Sequence, residues 1–220
     1  MLLMRNSVFV HIPKCGGTSV RHELERLGLA IAELGPPGSD RPASDDSPYR
    51  ADIKHAKVSD VRDAIADRVV LASVRETVAW YRSMWCFRKR ASGSELLAFE
   101  EEGPLGINLW RETFPAWVDT ITTVIPGLYG TVLNNMLEGV MSCSDHLLLR
   151  TSRLNADLQS ALITCGEIKP STETAVPKLN VTTDLKEEAL LSRGVLRMIR
   201  ESEGDGDFPD AFRYSDSFVS

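Results

Sequence analysis

The chain has 220 residues, with 25 Lys or Arg against 31 Asp or Glu, a formal charge of −6 and 43% hydrophobic residues. That length supports one domain with a sizeable core. It excludes a small disulfide-stapled scaffold and a wholly disordered chain, and no run of about 18 apolar residues offers a membrane span. The acidic balance, with a pI near 5.3, argues against general nucleic-acid binding, yet leaves room for one anionic ligand in a local basic pocket.

The apolar, β-branched run Ser7–Ile12 predicts a buried strand, stopped by Pro13 and followed at once by Gly16-Gly17. From Thr18 the pattern turns helical through Val20, Leu24, Leu27 and Ala30, with Gly28 as an early stop. Residues 35–50 are rich in Pro, Gly, Ser and Asp and predict a loop. Ala51–His55 reads as a short strand, and Val58, Val61, Ile65 and Ala66 as a helix starting near Ser59 or Asp60. Val69–Val74 is the clearest strand, continuous and apolar, as suits the middle of a parallel sheet. A helix is expected over Thr77–Arg90, an acidic loop over 92–108, and a helix over Leu109–Ile125 with Pro115 in its first turns and Pro126 at its end. His146–Arg150 is a third strand, and Ser152–Cys165 a helix stopped by Gly166. Lys169–Thr183 is a loop, Leu185–Ser202 a last helix, and an acidic tail follows. Strands alternating with helices predict an α/β fold: a central, mainly parallel sheet flanked by helices, in one domain over residues 1–220.

Cys15, Cys86, Cys143 and Cys165 are scattered, with no C-x-x-C pair and no Cys/His cluster, so reduced thiols and no zinc site are expected. The N-terminal Met-Leu-Leu-Met-Arg-Asn turns polar too soon for a signal peptide, and the expectation is a cytoplasmic protein.

The sharpest feature is His11-Ile12-Pro13-Lys14-Cys15-Gly16-Gly17-Thr18-Ser19. A strand delivers the chain to a loop in which two glycines remove Cβ atoms, so backbone N–H groups can close around an anion. The following helix adds its positive dipole end, Thr18 and Ser19 add hydroxyls, and Lys14 adds a charge. The pattern is neither a Walker A loop, because Lys14 precedes Gly16, nor a dinucleotide G-x-G-x-x-G. Taken alone it fits either an anion site or an ordinary strand-to-helix turn with a solvated lysine.

At these residues the sequence resembles the sulfotransferases that use 3′-phosphoadenosine 5′-phosphosulfate (PAPS). H-I-P-K-x-G-G-T-S is similar to the 5′-phosphosulfate loop of their carbohydrate 2-O-sulfotransferase-like and bacterial branch, which commonly has Thr where this chain has Cys15. A second string resembles the family's 3′-phosphate motif: the apolar Val69–Val74, then Arg75, then Ser83 eight positions on, with Trp85 after it. Arg75 at a strand end offers a fork of donors for a phosphate, and Ser83 two helical turns on can reach the same face. The chain departs from the family at Glu76, Thr77 and Trp80, where Asp or Asn, Pro and Arg are usual; Thr77 is expected to cap the helix, and Arg82 is the nearest replacement charge. His146–Gly166, Lys178–Thr182 and Phe208–Tyr214 carry weaker similarities.

The resemblance implies a P-loop-NTPase-like sulfotransferase fold, PAPS as co-substrate, no metal, and a small-molecule or carbohydrate acceptor, with no nucleic-acid partner. It assigns Lys14, Cys15, Gly16, Gly17, Thr18 and Ser19 to the 5′ side, and Arg75 and Ser83 to the 3′-phosphate. Catalysis would rest on Lys14 at the leaving phosphate and on His55, which lies where related enzymes place a basic His. Glu23 is a lesser base, expected as a solvated helix carboxylate; His22 is expected to be exposed. Cys15, in an electropositive loop, is expected to be a spectator thiol open to alkylation. Arg82, Arg88, Lys89 and Arg90 form a basic cluster that suits an anionic acceptor or a solvated helix end. The alternatives are a degenerate sulfotransferase-like module that binds nucleotide or a partner without turnover, and a P-loop kinase.

Overall fold

The computed structural model describes residues 1–35, 56–65, 67–90, 112–138, 140, 145–179 and 188–204. They form an α/β structure whose chain divides into two compact units, split after Arg75, Thr131 and Leu179.

The first unit carries a five-stranded sheet: β1 (Leu2–Leu3), β2 (Ser7–Val10), β3 (Ala32–Glu33), β4 (Val69–Val74) and β5 (Asp145–Arg150) in the order β3-β1-β2-β4-β5. β2, β4 and β5 are parallel, in the register Val10–Ala72 and Ala72–Leu148. β1 runs antiparallel to both its neighbours. The sheet is therefore mixed rather than mainly parallel. The unexpected pair arises because the chain turns tightly from β1 into β2, with Met4 N–H on Ser7 O at 2.9 Å, while the stretch after the first helix folds back onto β1, with Ile31 N–H on Leu3 O at 2.8 Å.

Both faces of β2 and β4 are buried, which is why these two strands read as largely apolar runs, whereas β5 is buried chiefly at Leu148 and Leu149. On one face Phe9, Leu71 and Leu149 meet Val20 and Leu24 of α1 (Gly17–Arg26) and Leu158, Ala161 and Leu162 of a later helix, Leu154–Thr164. Each such buried Phe, Leu or Val side chain contributes about 1.5–3 kcal/mol. α1 and that later helix end alike. Gly28 (φ +66°) sends its N–H to Glu25 O while Leu29 N–H reaches Leu24 O, and Gly166 (φ +68°) with Glu167 repeats the pattern on Ile163 and Leu162. This is the Schellman closure, which needs a left-handed residue and so selects glycine. Between them, a 3₁₀ turn over Val58–Val61 leads into α2 (Arg62–Ile65), the short form of the helix expected there.

The second unit contains α3 (Thr77–Arg90), α4 (Phe114–Val124), the start of α5 (Leu128–Met136) and α7 (Arg193–Glu203); Leu154–Thr164 is α6. Its core is aromatic. Trp80 stacks on Tyr129 with centroids 4.7 Å apart, Tyr81 meets Trp117 edge-on at 6.0 Å, and Trp85 meets Phe114 at 5.6 Å. Glu203, at the end of α7, is buried among them. It accepts from Tyr81 Oη at 2.5 Å and from the Tyr129 and Gly130 N–H groups at 2.7 and 2.9 Å. One carboxylate thus caps α5 and holds α3. Burial, then the Glu203 charge, raises the Tyr81 hydroxyl far above its ordinary pKa. Phe114 and Trp117 are fully buried core residues. α5 was not expected from the sequence, and α7 starts at Arg193 rather than Leu185, where Ser192 Oγ caps it by accepting from Val195 N–H at 3.2 Å. Among the described residues no helix is long and apolar enough to cross a membrane.

Candidate anion-binding site

β2 ends at Val10, and the chain from His11 to Gly16 forms the loop before α1. Its backbone alternates in handedness. Lys14 (φ +63°) and Gly16 (φ +80°) are left-handed and Cys15 between them is not, which is the arrangement that turns successive N–H groups toward one point. Lys14 is the one non-glycine residue with positive φ among the described residues. A side chain there costs about 1–2 kcal/mol, and such strain collects at ligand sites.

Each glycine has its own reason. Gly16 is left-handed, and a Cβ on it would also lie 3.0 Å from Leu154 Cδ2. A Cβ on Gly17 would lie 2.7 Å from the His11 ring, so only glycine lets α1 start directly over that imidazole. Cys15 N–H turns back to Ile12 O at 3.3 Å and Ser19 N–H to Gly16 O at 3.0 Å, so the N–H groups that the start of α1 offers an anion are those of Gly17 and Thr18. No side chain caps it at Gly16, and its first turn holds no acidic residue. With Lys14 half-buried beside it, this end of α1 is suited to a phosphate or sulfate.

A strap over residues 174–179 crosses α1 and α6. Thr174 Oγ1 donates to Asn155 O at 3.2 Å, and Val176 N–H to Asn155 Oδ1 at 2.9 Å. Ala175 N–H donates to Glu23 at 2.7 Å, and Leu179 N–H to Ser19 Oγ at 3.3 Å. The last bond brings the exposed Lys178, on the sequence string similar to a family loop, next to the first turn of α1.

Glu23 is not solvated. Its side chain is fully buried, bound by Arg26 Nε and Nη2 at 2.7 Å each, and the Arg26 hydrogen bonds lower its pKa against the opposing effect of burial. A carboxylate so occupied is a clamp rather than a base. Cys15 is also fully buried, so its thiol is not presented to alkylating reagents as expected; its neighbours Ile12 and Val20 are buried with it. Cys15, Cys86 and Cys165 are free thiols. His11 is 5% exposed and His22 exposed.

The structure gathers Lys14, Cys15, Gly16, Gly17, Thr18 and Ser19 in one loop and first turn. Thr18 is half-buried, and Ser19 is 7% exposed. Arg75 is the first residue beyond β4, half-buried, at the carboxyl end of the strand paired with β2. Ligands of open α/β sheets bind at that end. Arg150 ends the next strand and is held by Asp157 through Nε at 2.9 Å and Nη2 at 3.2 Å. Ser83 lies half-buried in α3, in the second unit. Trp80 N–H bonds Glu76 O at 2.9 Å, which makes Glu76 rather than Thr77 the N-cap residue of α3. In the basic cluster Lys89 sits 5.2 Å from the Trp85 ring centroid and 3.8 Å from Glu188. His55 lies outside the described residues, as do the loop 36–50 and residues 205–220. The sequence reading missed the Glu23 clamp and the Asp157 lock, although an Arg three residues from Glu23 on one helix was the available signal. The chain matches no protein-family model, and no curated protein or solved structure matches it significantly.

Proposed function

We propose that the protein is a PAPS-dependent sulfotransferase, moving a sulfuryl group to a hydroxyl or amine of a small-molecule or carbohydrate acceptor. The observation that carries this reading is the left-handed Lys14 and Gly16 at the uncapped start of α1. The motif resemblance supplies the identity of the anion.

In this reading the S–O bond to the 5′-phosphate breaks, a new bond forms from sulfur to the acceptor atom, and the acceptor's proton passes to a base. The leaving phosphate gains charge, which Lys14 and the N–H groups of the loop stabilise without reorganising. Ser19 Oγ accepts from Leu179 N–H, so its own O–H remains available to donate toward the anion. Arg75 offers bidentate donors to the 3′-phosphate. His55 takes the acceptor proton, a role that suits an imidazole near neutral pH.

The test is calorimetric titration with 3′-phosphoadenosine 5′-phosphate (PAP), with AMP and ATP as controls, on the wild type, Lys14→Ala and Arg75→Ala. Tight binding of PAP alone, lost in both variants, supports the reading, and release of PAP from labelled PAPS with an acceptor screen establishes transfer. PAP binding without release in that screen favours the non-catalytic binding module. No PAP binding by the folded wild type refutes both.

A further inference from the structure

Ser73 interrupts the apolar run of β4. Its side chain is fully buried, and Oγ has no hydrogen-bond partner among the described residues. Strand alternation puts Ser73 on the same sheet face as Leu71, the face that packs against α1 and α6. On one side its register partner is the buried Leu149 of β5. On the other, the pairing Val10–Ala72 runs on to His11, whose ring lies against Gly17 at the start of α1. Ser73 therefore sits beneath the loop, close to where α1 and α6 both begin. A buried hydroxyl without a partner destabilises the unbound chain, and an alanine in its place would not carry that cost.

We infer that Ser73 Oγ is the floor of the anion site, donating its O–H to an oxygen of a tetrahedral oxyanion, phosphate or sulfate, held by the Lys14–Ser19 loop. The inference rests on the anion-site reading of that loop and adds a donor that neither motif contains. Loop and helix would grip the anion from above, and the strand residue from below.

The experiment measures two quantities on the wild type, Ser73→Ala and Ser73→Cys, the second being close in volume but a poor donor. One is the melting temperature without ligand; the other is affinity for PAP, inorganic pyrophosphate and sulfate. Ser73→Ala is expected to melt at or above the wild type and to bind each anion about tenfold or more weaker, as for loss of a hydrogen bond to a charged group. Ser73→Cys should fall between. Unchanged affinity in both variants overturns the inference, and a lower unbound melting temperature with unchanged affinity shows Ser73 to be structural instead. If the wild type binds pyrophosphate or sulfate in a Ser73-dependent way but not PAP, the inference stands and the nucleotide reading falls. If it binds none of them, both fall.

Discussion

Lys14 makes a prediction in which stability and binding move in opposite directions. Its φ of +63° lies in the region where an L side chain costs about 1–2 kcal/mol. Lys14→Gly removes that cost but gives the unfolded chain more freedom, worth about 0.4–1 kcal/mol the other way. Lys14→Ala loses the same charge and keeps the strain. The glycine variant should therefore be more stable than the alanine variant by about 0.5–1 kcal/mol, a rise of about 1–4 °C in a chain of this size. Both should lose anion affinity alike. Lys14 is half-exposed, so the lower end of the range for a charge-assisted hydrogen bond applies, roughly tenfold in Kd. Scanning calorimetry and PAP titration on the two variants check both quantities. A glycine variant no more stable than the alanine one would show that the left-handed backbone is not held in the unbound protein. A glycine variant that binds like wild type would remove Lys14 from the anion.

Three further outcomes are expected. Gly17→Ala puts a methyl 2.7 Å from the His11 ring and should cost about 1–3 kcal/mol in chemical denaturation, whereas Gly194→Ala, whose nearest neighbour lies at 3.7 Å, should not destabilise. Glu23 is a depressed carboxylate, so its contribution is full above its unfolded value of 4.5 and is lost as pH falls through the lower folded value. The stability of Glu23→Gln should therefore fall less steeply than that of wild type below pH 4.5, and parallel acid profiles would refute the clamp. Tyr81→Phe removes one of the three donors to Glu203 and should cost about 1.5–3 kcal/mol, read by the fluorescence of the buried Trp80, Trp85 and Trp117.

What the sequence revealed depended on how much each element signals for itself. β4 and α3 have the bounds their residues predict, since a six-residue apolar run and a long helical pattern are strong local signals. β1 and β3 have two residues each, too few for any period, and exist because β3 pairs with β1 and β1 with β2. α5 carries Gly130, Thr131 and two asparagines, all weak helix formers, and is held by Glu203 from far along the chain. In α7 the leucines misled: Leu190 is 67% exposed, and the helix begins only after the Ser192 cap. The loop was legible because glycines, a lysine and hydroxyls state their chemistry locally. Ser73 passed as part of a continuous apolar strand, because the significance of its hydroxyl depends on what lies over it, which no local pattern gives.

In a chain of charge −6, the proposed anion site must draw its positive potential from local structure. α1 and α6 begin side by side, Gly16 against Leu154 and Thr151, and both bring positive dipole ends to the sheet. α6 carries its own anion: Asp157, 1% exposed in its first turn, accepts from the Arg150 backbone and guanidinium. α1 has no acid in its first turn, and its nearest buried one, Glu23, is neutralised by Arg26 and the Ala175 N–H. Asp157 and Glu23 are thus each matched by an arginine within a turn or two of chain, and the start of α1 brings together the Lys14 side chain and the N–H groups of Gly17 and Thr18. An Asp placed at Thr18 would supply the missing anion from within the chain. It should stabilise α1 by about 0.3–1 kcal/mol and at the same time suppress binding of PAP. Stabilisation with binding intact would mean that the ligand lies elsewhere.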